Sequence, residues 1–197
     1  MSDKNLPISR EQALELIKKY NSHPQDIIHY LESEAVMRQL AKHLGEDEEY
    51  WGMLGLLHDV DWGLTKDDVS THLTKAPKIL KENGFDDEFI ETILSHGYGF
   101  HELPHLASKT RTRKIEYALA ASETITGLVH AYALMRSSRI SDMEASGLKK
   151  KFKDKAFAAK IDREIIKEIE NVGVNLDEFF SIAIEGIKNI KEQVGLS

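Results

Sequence analysis

The 197-residue chain contains no cysteine. Disulfides, zinc–thiolate sites and thiol nucleophiles are thereby excluded, and the composition fits a reducing interior. Proline is scarce, at four residues, and no strong period-two alternation of apolar and polar side chains is present. Little room is left for strands. No run approaches the ~20 apolar residues that cross a bilayer. The opening Met1-Ser2-Asp3-Lys4-Asn5-Leu6-Pro7 lacks the apolar stretch of a signal peptide. Positive charge is also in deficit: the net charge is −7 and the pI about 5.7. A duplex-binding face is not expected, because neutralising phosphates needs a basic surface. A cytoplasmic protein is the expectation, with no membrane or nucleic-acid duplex as partner and a homo-oligomer left open. Internal repeats and low-complexity segments are missing as well.

What is present is enough apolar residue, 41%, for one sizeable core. Its spacing is helical nearly throughout, so the expected fold is all-α. Ser9-Arg10-Glu11-Gln12 reads as a capping box opening a short first helix. Pro24 suits the first turn of a second, which runs to about Gly45. A third follows Glu46-Asp47 and ends near His58-Asp59. A fourth covers about 71 to 83 and stops at Gly84. Asp86-Asp87-Glu88 places acids at the start of a fifth, reaching about His96. A loop from Gly97 to Ser108 precedes a long helix from about Thr110 to Met135. Farther on, Asp162 caps a helix towards Val172. Asn175-Leu176-Asp177-Glu178 is a second capping box, opening a last helix with an apolar stripe from Leu176 to Ile190. That stripe needs a partner surface, most simply the preceding helices. Three stretches follow: 1–23, an N-terminal helix; 24–136, a helical domain; and 137–197, a helical extension packed on the same core.

The chemistry gathers around His58-Asp59, at the polar end of the apolar run Trp51 to Leu57. His29 shares a stripe with Ser33, Val36 and Leu40. Glu123 shares one with Ile115, Leu119, Thr126 and His130. Both faces look inward, and a buried carboxylate is costly unless paired or metal-bound. His29, His58, Asp59 and Glu123 together would make a two-His, two-carboxylate site suited to Mn²⁺, Fe²⁺, Zn²⁺ or Ni²⁺, with positions left for water and substrate. Each residue alone has a plainer role: a core histidine, a turn aspartate, a buried ion pair. Only their conjunction points to a metal.

These residues resemble the HD-domain superfamily of metal-dependent phosphohydrolases. His29 to Met37 is similar to its first histidine helix. Leu56-Leu57-His58-Asp59-Val60-Asp61 is similar to its signature. The segments around His72 and His96 resemble its later histidines, and Ala120 to Leu128 resembles its closing helix, over about residues 25 to 135. The family's last ligand is normally Asp, and Glu123 stands there. The resemblance implies one HD-type helical bundle with a helical C-terminal extension, and one or two divalent ions. His29, His58, Asp59 and Glu123 are the expected ligands, and His72 and His96 are candidates for a second ion. Asp59, His72 and His96 are the candidate catalytic groups, the histidines moving protons if they are not coordinated. Lys75, Arg111 and Arg113, with Lys114 beside them, are candidates for gripping phosphate. The basic cluster Lys149 to Lys155 is open to several uses. The implied reaction is hydrolysis of a phosphomonoester or phosphodiester of a nucleotide or other small phosphorylated molecule. The Asp-to-Glu departure motivates an alternative, a catalytically weak metal-binding or ligand-sensing module.

Overall fold

The computed structural model describes residues 5–197. Residues 1–4, which open the expected 1–23 stretch and the signal-peptide reading, lie outside it. Among the described residues every regular element is helical. Helix α1, Arg10–Tyr20, starts at the capping box: Ser9 accepts from the Gln12 N–H while the Gln12 side chain returns to the Ser9 N–H. Helix α2, Pro24–Leu44, carries proline in its first turn and ends at Gly45 with φ of +71°, a conformation that glycine reaches without steric cost. Helix α3, Glu48–Leu57, is capped by Asp47, which accepts from the Glu49 and Tyr50 N–H groups. A single turn, α4 (Trp62–Thr65), follows the His-Asp pair.

Helix α5 is Ala76–Glu82, shorter than the expected 71 to 83. The reason is Asp61. One of its carboxylate oxygens accepts from the Leu73 N–H and the other from those of Lys75 and Ala76. Leu73 sits at φ +66°. The approach to α5 is thus a pinned turn containing a short 3-10 segment, Val69–Thr71. Helix α6, Asp87–Leu94, is capped by Asp86 and gives way to a 3-10 turn, Ser95–Gly97, so the expected helix stops two residues before His96. Helix α7 is Lys114–Met135 and starts four residues later than expected. Glu116 reaches back to accept the Thr112 and Arg113 N–H groups and fixes that start.

The remainder comprises α8 (Ala145–Lys153), α9 (Arg163–Lys167) with a 3-10 continuation to Val172, and α10 (Leu176–Asn189). The Asn175 side chain caps α10 through the Glu178 N–H. Helix α2 is the axis of the bundle, packed by α3, α7 and α10. Two glycines permit close approach to α2. A Cβ on Gly55 would lie 2.5 Å from the Ser33 carbonyl oxygen, and one on Gly186 would lie 2.7 Å from that of Ala35. Both contacts are backbone and have no room to yield. The core is continuous from Ala13 and Leu16 through Leu54, Leu57 and Leu119 to Phe179, Phe180 and Ile184. Residues of 137–197 therefore bury against the same core as those of 24–136. No helix among the described residues is long and apolar enough to cross a membrane.

Candidate metal centre

Close packing of α2 against α3 sets His29 beside His58. The two Nε2 atoms lie 3.1 Å apart. His58 is fully buried and its Nδ1 lies 2.8 Å from the Gly55 carbonyl oxygen. A carbonyl only accepts, so Nδ1 carries the proton and the neutral ring turns the Nε2 lone pair inward. Burial, partly opposed by Asp59, pushes the His58 pKa down to about 3, which keeps that ring neutral. His29 is fixed in the same sense. The Thr126 hydroxyl donates to the Glu123 carbonyl, so its oxygen accepts from His29 Nδ1 at 3.0 Å. Two lone pairs therefore face each other at hydrogen-bond distance with no proton to share. A cation between or beside them removes that conflict.

The second half of the site sits on turns. His72 follows the 3-10 segment Val69–Thr71, and His96 lies within Ser95–Gly97. Their Nε2 atoms approach one oxygen of Asp59, Oδ1, at 3.1 and 3.2 Å. Their Nδ1 atoms are held from behind, that of His72 by Asp61 at 3.2 Å and that of His96 by the Ile93 carbonyl at 2.7 Å. Burial works against charge on His72, but Asp59 and Asp61 outweigh it and push its pKa up to about 10. The gap between His72 and Asp59 thus calls for a positive charge, proton or metal. Burial also opposes charge on Asp59, yet the surrounding imidazoles, His72 among them, hold its carboxyl well below the usual range. Asp59 Oδ1 is buried and makes no aligned hydrogen bond despite these two near nitrogens. An orphaned carboxylate oxygen among imidazole nitrogens is the geometry that a divalent ion completes.

Two groups of ligand atoms result, each within 4.8 Å: His29, His58 and Asp59, and Asp59, His72 and His96. Asp59 belongs to both. Every histidine presents Nε2 inward and is oriented through Nδ1 by a second partner, the support that metal-ligating histidines require. Glu123 approaches the first group, with Oε2 3.9 Å from His29 Nε2, but stands outside the tight triad. Burial pushes its carboxyl above the usual range, partly offset by His96 and His29. The donor set of imidazole and carboxylate fits Mn²⁺, Fe²⁺, Zn²⁺ or Ni²⁺.

A cavity of about 350 Å³ opens over Asp59, His72, His96 and Glu123, and Val69, Phe100, Leu103 and Glu102 form its lip. The expected phosphate grips fare differently. Arg111 is buried and pairs with both oxygens of Glu168, while its Nη1 donates to the carbonyls of Ser95, His96 and Tyr98. This corrects the expectation for Arg111: its donors brace the backbone of the His96 turn. Arg113 is directed to Glu116 and the Thr92 hydroxyl, which likewise removes it as a free grip. Lys75 is exposed, its ammonium on the Leu64 carbonyl. Lys114, His101 and His105 are exposed. Asp61 had no role assigned from the sequence. Its signal was an acid two residues past the His-Asp pair, ahead of a turn full of unpaired N–H groups. Thr126, noted only as a stripe member, orients His29.

An all-helical bundle that gathers four histidines around one aspartate defines a histidine–aspartate metal-binding domain. The HD domain family model matches residues 26–124, half of the chain. The chain belongs to the HD-domain superfamily of metal-dependent phosphohydrolases. No curated protein matches it, and no solved structure does.

Proposed function

We propose that the chain is a metal-dependent phosphohydrolase acting on a small phosphorylated molecule. The observation that carries this reading is Asp59, whose oxygens meet His29 and His58 on one side and His72 and His96 on the other. Two divalent ions are proposed, with Asp59 shared between them. His29, His58 and Glu123 complete one site, and His72 and His96 complete the other. Ions held there supply Lewis acidity to a phosphoryl oxygen and lower the pKa of water towards neutrality. The protein's part is orientation. Gly55, Thr126, Asp61 and the Ile93 carbonyl each fix one imidazole so that Nε2 faces the cluster around Asp59. Val69, Phe100 and Leu103 at the lip shield the centre from bulk water and suit the uncharged body of an organic phosphate. Lys75, exposed beside the His72 turn, is the cation retained as a phosphate contact.

The experiment is hydrolysis of a panel of nucleoside monophosphates, other phosphomonoesters and phosphodiesters by protein loaded with Mn²⁺, Fe²⁺, Zn²⁺ or Ni²⁺. Turnover that disappears with chelator and returns with metal is expected. Glu123 standing outside the tight triad favours a second reading, a metal-binding or ligand-sensing module. Metal bound in full with no ester cleaved would select that reading.

A further inference from the structure

Residues 149–167 carry eight Lys and Arg against three acids, in a chain whose net charge is −7. This charge is not spread over a solvated helix face. Helix α8, the turn after it and α9 fold it around a cavity of about 270 Å³ lined by Lys153, Lys155, Arg163 and Lys167 over Phe152 and Ile161. Arg163 is the nail of that turn. Its guanidinium donates to the carbonyls of Phe152, Asp154, Phe157, Ala158 and Ile161, and no carboxylate pairs with it among the described residues. All five of its N–H donors are thereby spent on backbone carbonyls, so it shapes the turn and leaves the lysines as the cations on offer. Lys153 and Lys155 are exposed and have no ion-pair partner among the described residues. Glu164 also lines this cavity, and it and Asp154 are otherwise occupied. Glu164 pairs with Lys167 at 2.7 Å, and Asp154 accepts the Ala156 and Phe157 N–H groups.

A second cavity, about 500 Å³, adjoins the first and shares Phe152, Lys153 and Lys167 with it. Its floor is apolar, formed by Leu176 and Phe180 with the Phe152 and Phe180 rings 5.2 Å apart, and Glu170 and Asp177 also line it, Asp177 paired with Lys149 at 2.6 Å. Small-molecule sites of ~300–1,000 Å³ combine such an apolar wall with a few polar groups, and lysines without a carboxylate partner attract an oppositely charged ligand. We propose that these joined cavities bind a soluble polyvalent phosphate bearing an apolar group, of the nucleoside polyphosphate kind, with the phosphates over Lys153 and Lys155 and the apolar part against Phe152 and Phe180. This is a site separate from the metal centre: none of its lining residues lines the cavity over Asp59.

The test is calorimetric titration of the full chain, as purified, with a non-hydrolysable ATP analogue, tripolyphosphate and adenosine. The Asp59→Ala variant isolates the basic site from the metal centre. Expected is one saturable analogue site per chain in that variant, with tripolyphosphate and adenosine weaker. Lys153→Ala with Lys155→Ala, both exposed and harmless to the fold, is expected to weaken it at least tenfold and to remove the same equivalent from the unmodified chain. Analogue binding that vanishes with Asp59→Ala and ignores the lysine pair would assign it to the metal centre and overturn the proposal. So would affinity only for duplex DNA or anionic phosphatidylserine vesicles, or a lysine-dependent self-association with no analogue bound. Equal affinity for tripolyphosphate would overturn the apolar half. These readouts require no turnover, so failure here is distinct from failure of the hydrolase reading.

Discussion

The two halves of the metal centre are built differently. His29 and His58 stand on or at the end of long, mutually packed helices, and the Gly55–Ser33 backbone contact sets their separation. His72 and His96 stand on 3-10 turns and their edges, outside the long helices. There, side chains do the fixing: Asp61 holds the His72 turn by three backbone N–H groups, and Arg111 holds the His96 turn by three carbonyls. A site assembled from helices tolerates loss of one outer partner. A site assembled from turns depends on each brace. The first half is therefore expected to be the more robust, and the second the more easily uncoupled.

Four substitutions probe that contrast. Asp59→Ala removes the one ligand common to both halves. Both ions and all turnover are expected to be lost, a larger effect than the roughly 10–100-fold cost of losing an outer partner; metal content and phosphatase assay check it. Arg111→Ala leaves Glu168 and three carbonyls without their donor. Breaking a buried pair of this kind costs about 3 kcal/mol or more, visible in denaturant unfolding. The surviving folded protein is expected to show disturbance at His96 before His58, readable from histidine ring resonances. Asp61→Asn keeps the shape but removes the charge behind His72 and replaces one of the two accepting oxygens with a donor that faces backbone N–H groups. Affinity for the His72–His96 ion is expected to fall roughly 10–100-fold while the His29–His58 ion stays bound, a difference that metal titration resolves. Equal weakening of both ions would dissolve the contrast.

The smallest effect concerns the start of α7, which carries Glu123 and Thr126. Burial opposes charge on Glu116, but the Arg113 and Thr112 N–H groups and the Arg113 side chain outweigh it and hold its pKa below the usual range. A depressed carboxylate stabilises above its unfolded pKa and loses that contribution as pH falls through its folded pKa. Glu116→Gln is expected to cost about 1 kcal/mol at pH 7, as lost caps do. The difference from the unmodified chain should shrink below pH ~4.5, measured by urea unfolding across pH.

The same contrast explains what could be read from the sequence. Helices with caps and periodic apolar faces were legible, and so was the inward placement of His29 and Glu123, because the 3.6-residue repeat puts them on apolar stripes. Family resemblance pointed to His72 and His96. The turns that carry them were not legible, since those turns are set by long-range contacts from Asp61 and Arg111 that no local spacing encodes. For that reason α5 begins later than periodicity alone suggests, whereas the late start of α7 is set locally by Glu116. Arg111 was misread for the same cause: a cation near ligands in sequence is as able to brace backbone carbonyls as to grip phosphate, and Glu168, which decides between the two, lies in a distant helical segment.

The most direct test of the account is the metal content per chain of protein purified without chelator and then loaded with Mn²⁺, measured for the unmodified chain, His72→Ala and Asp59→Ala. The account predicts close to two ions, then one, then none. Metal content unchanged by Asp59→Ala, or no metal in the unmodified chain, would contradict it.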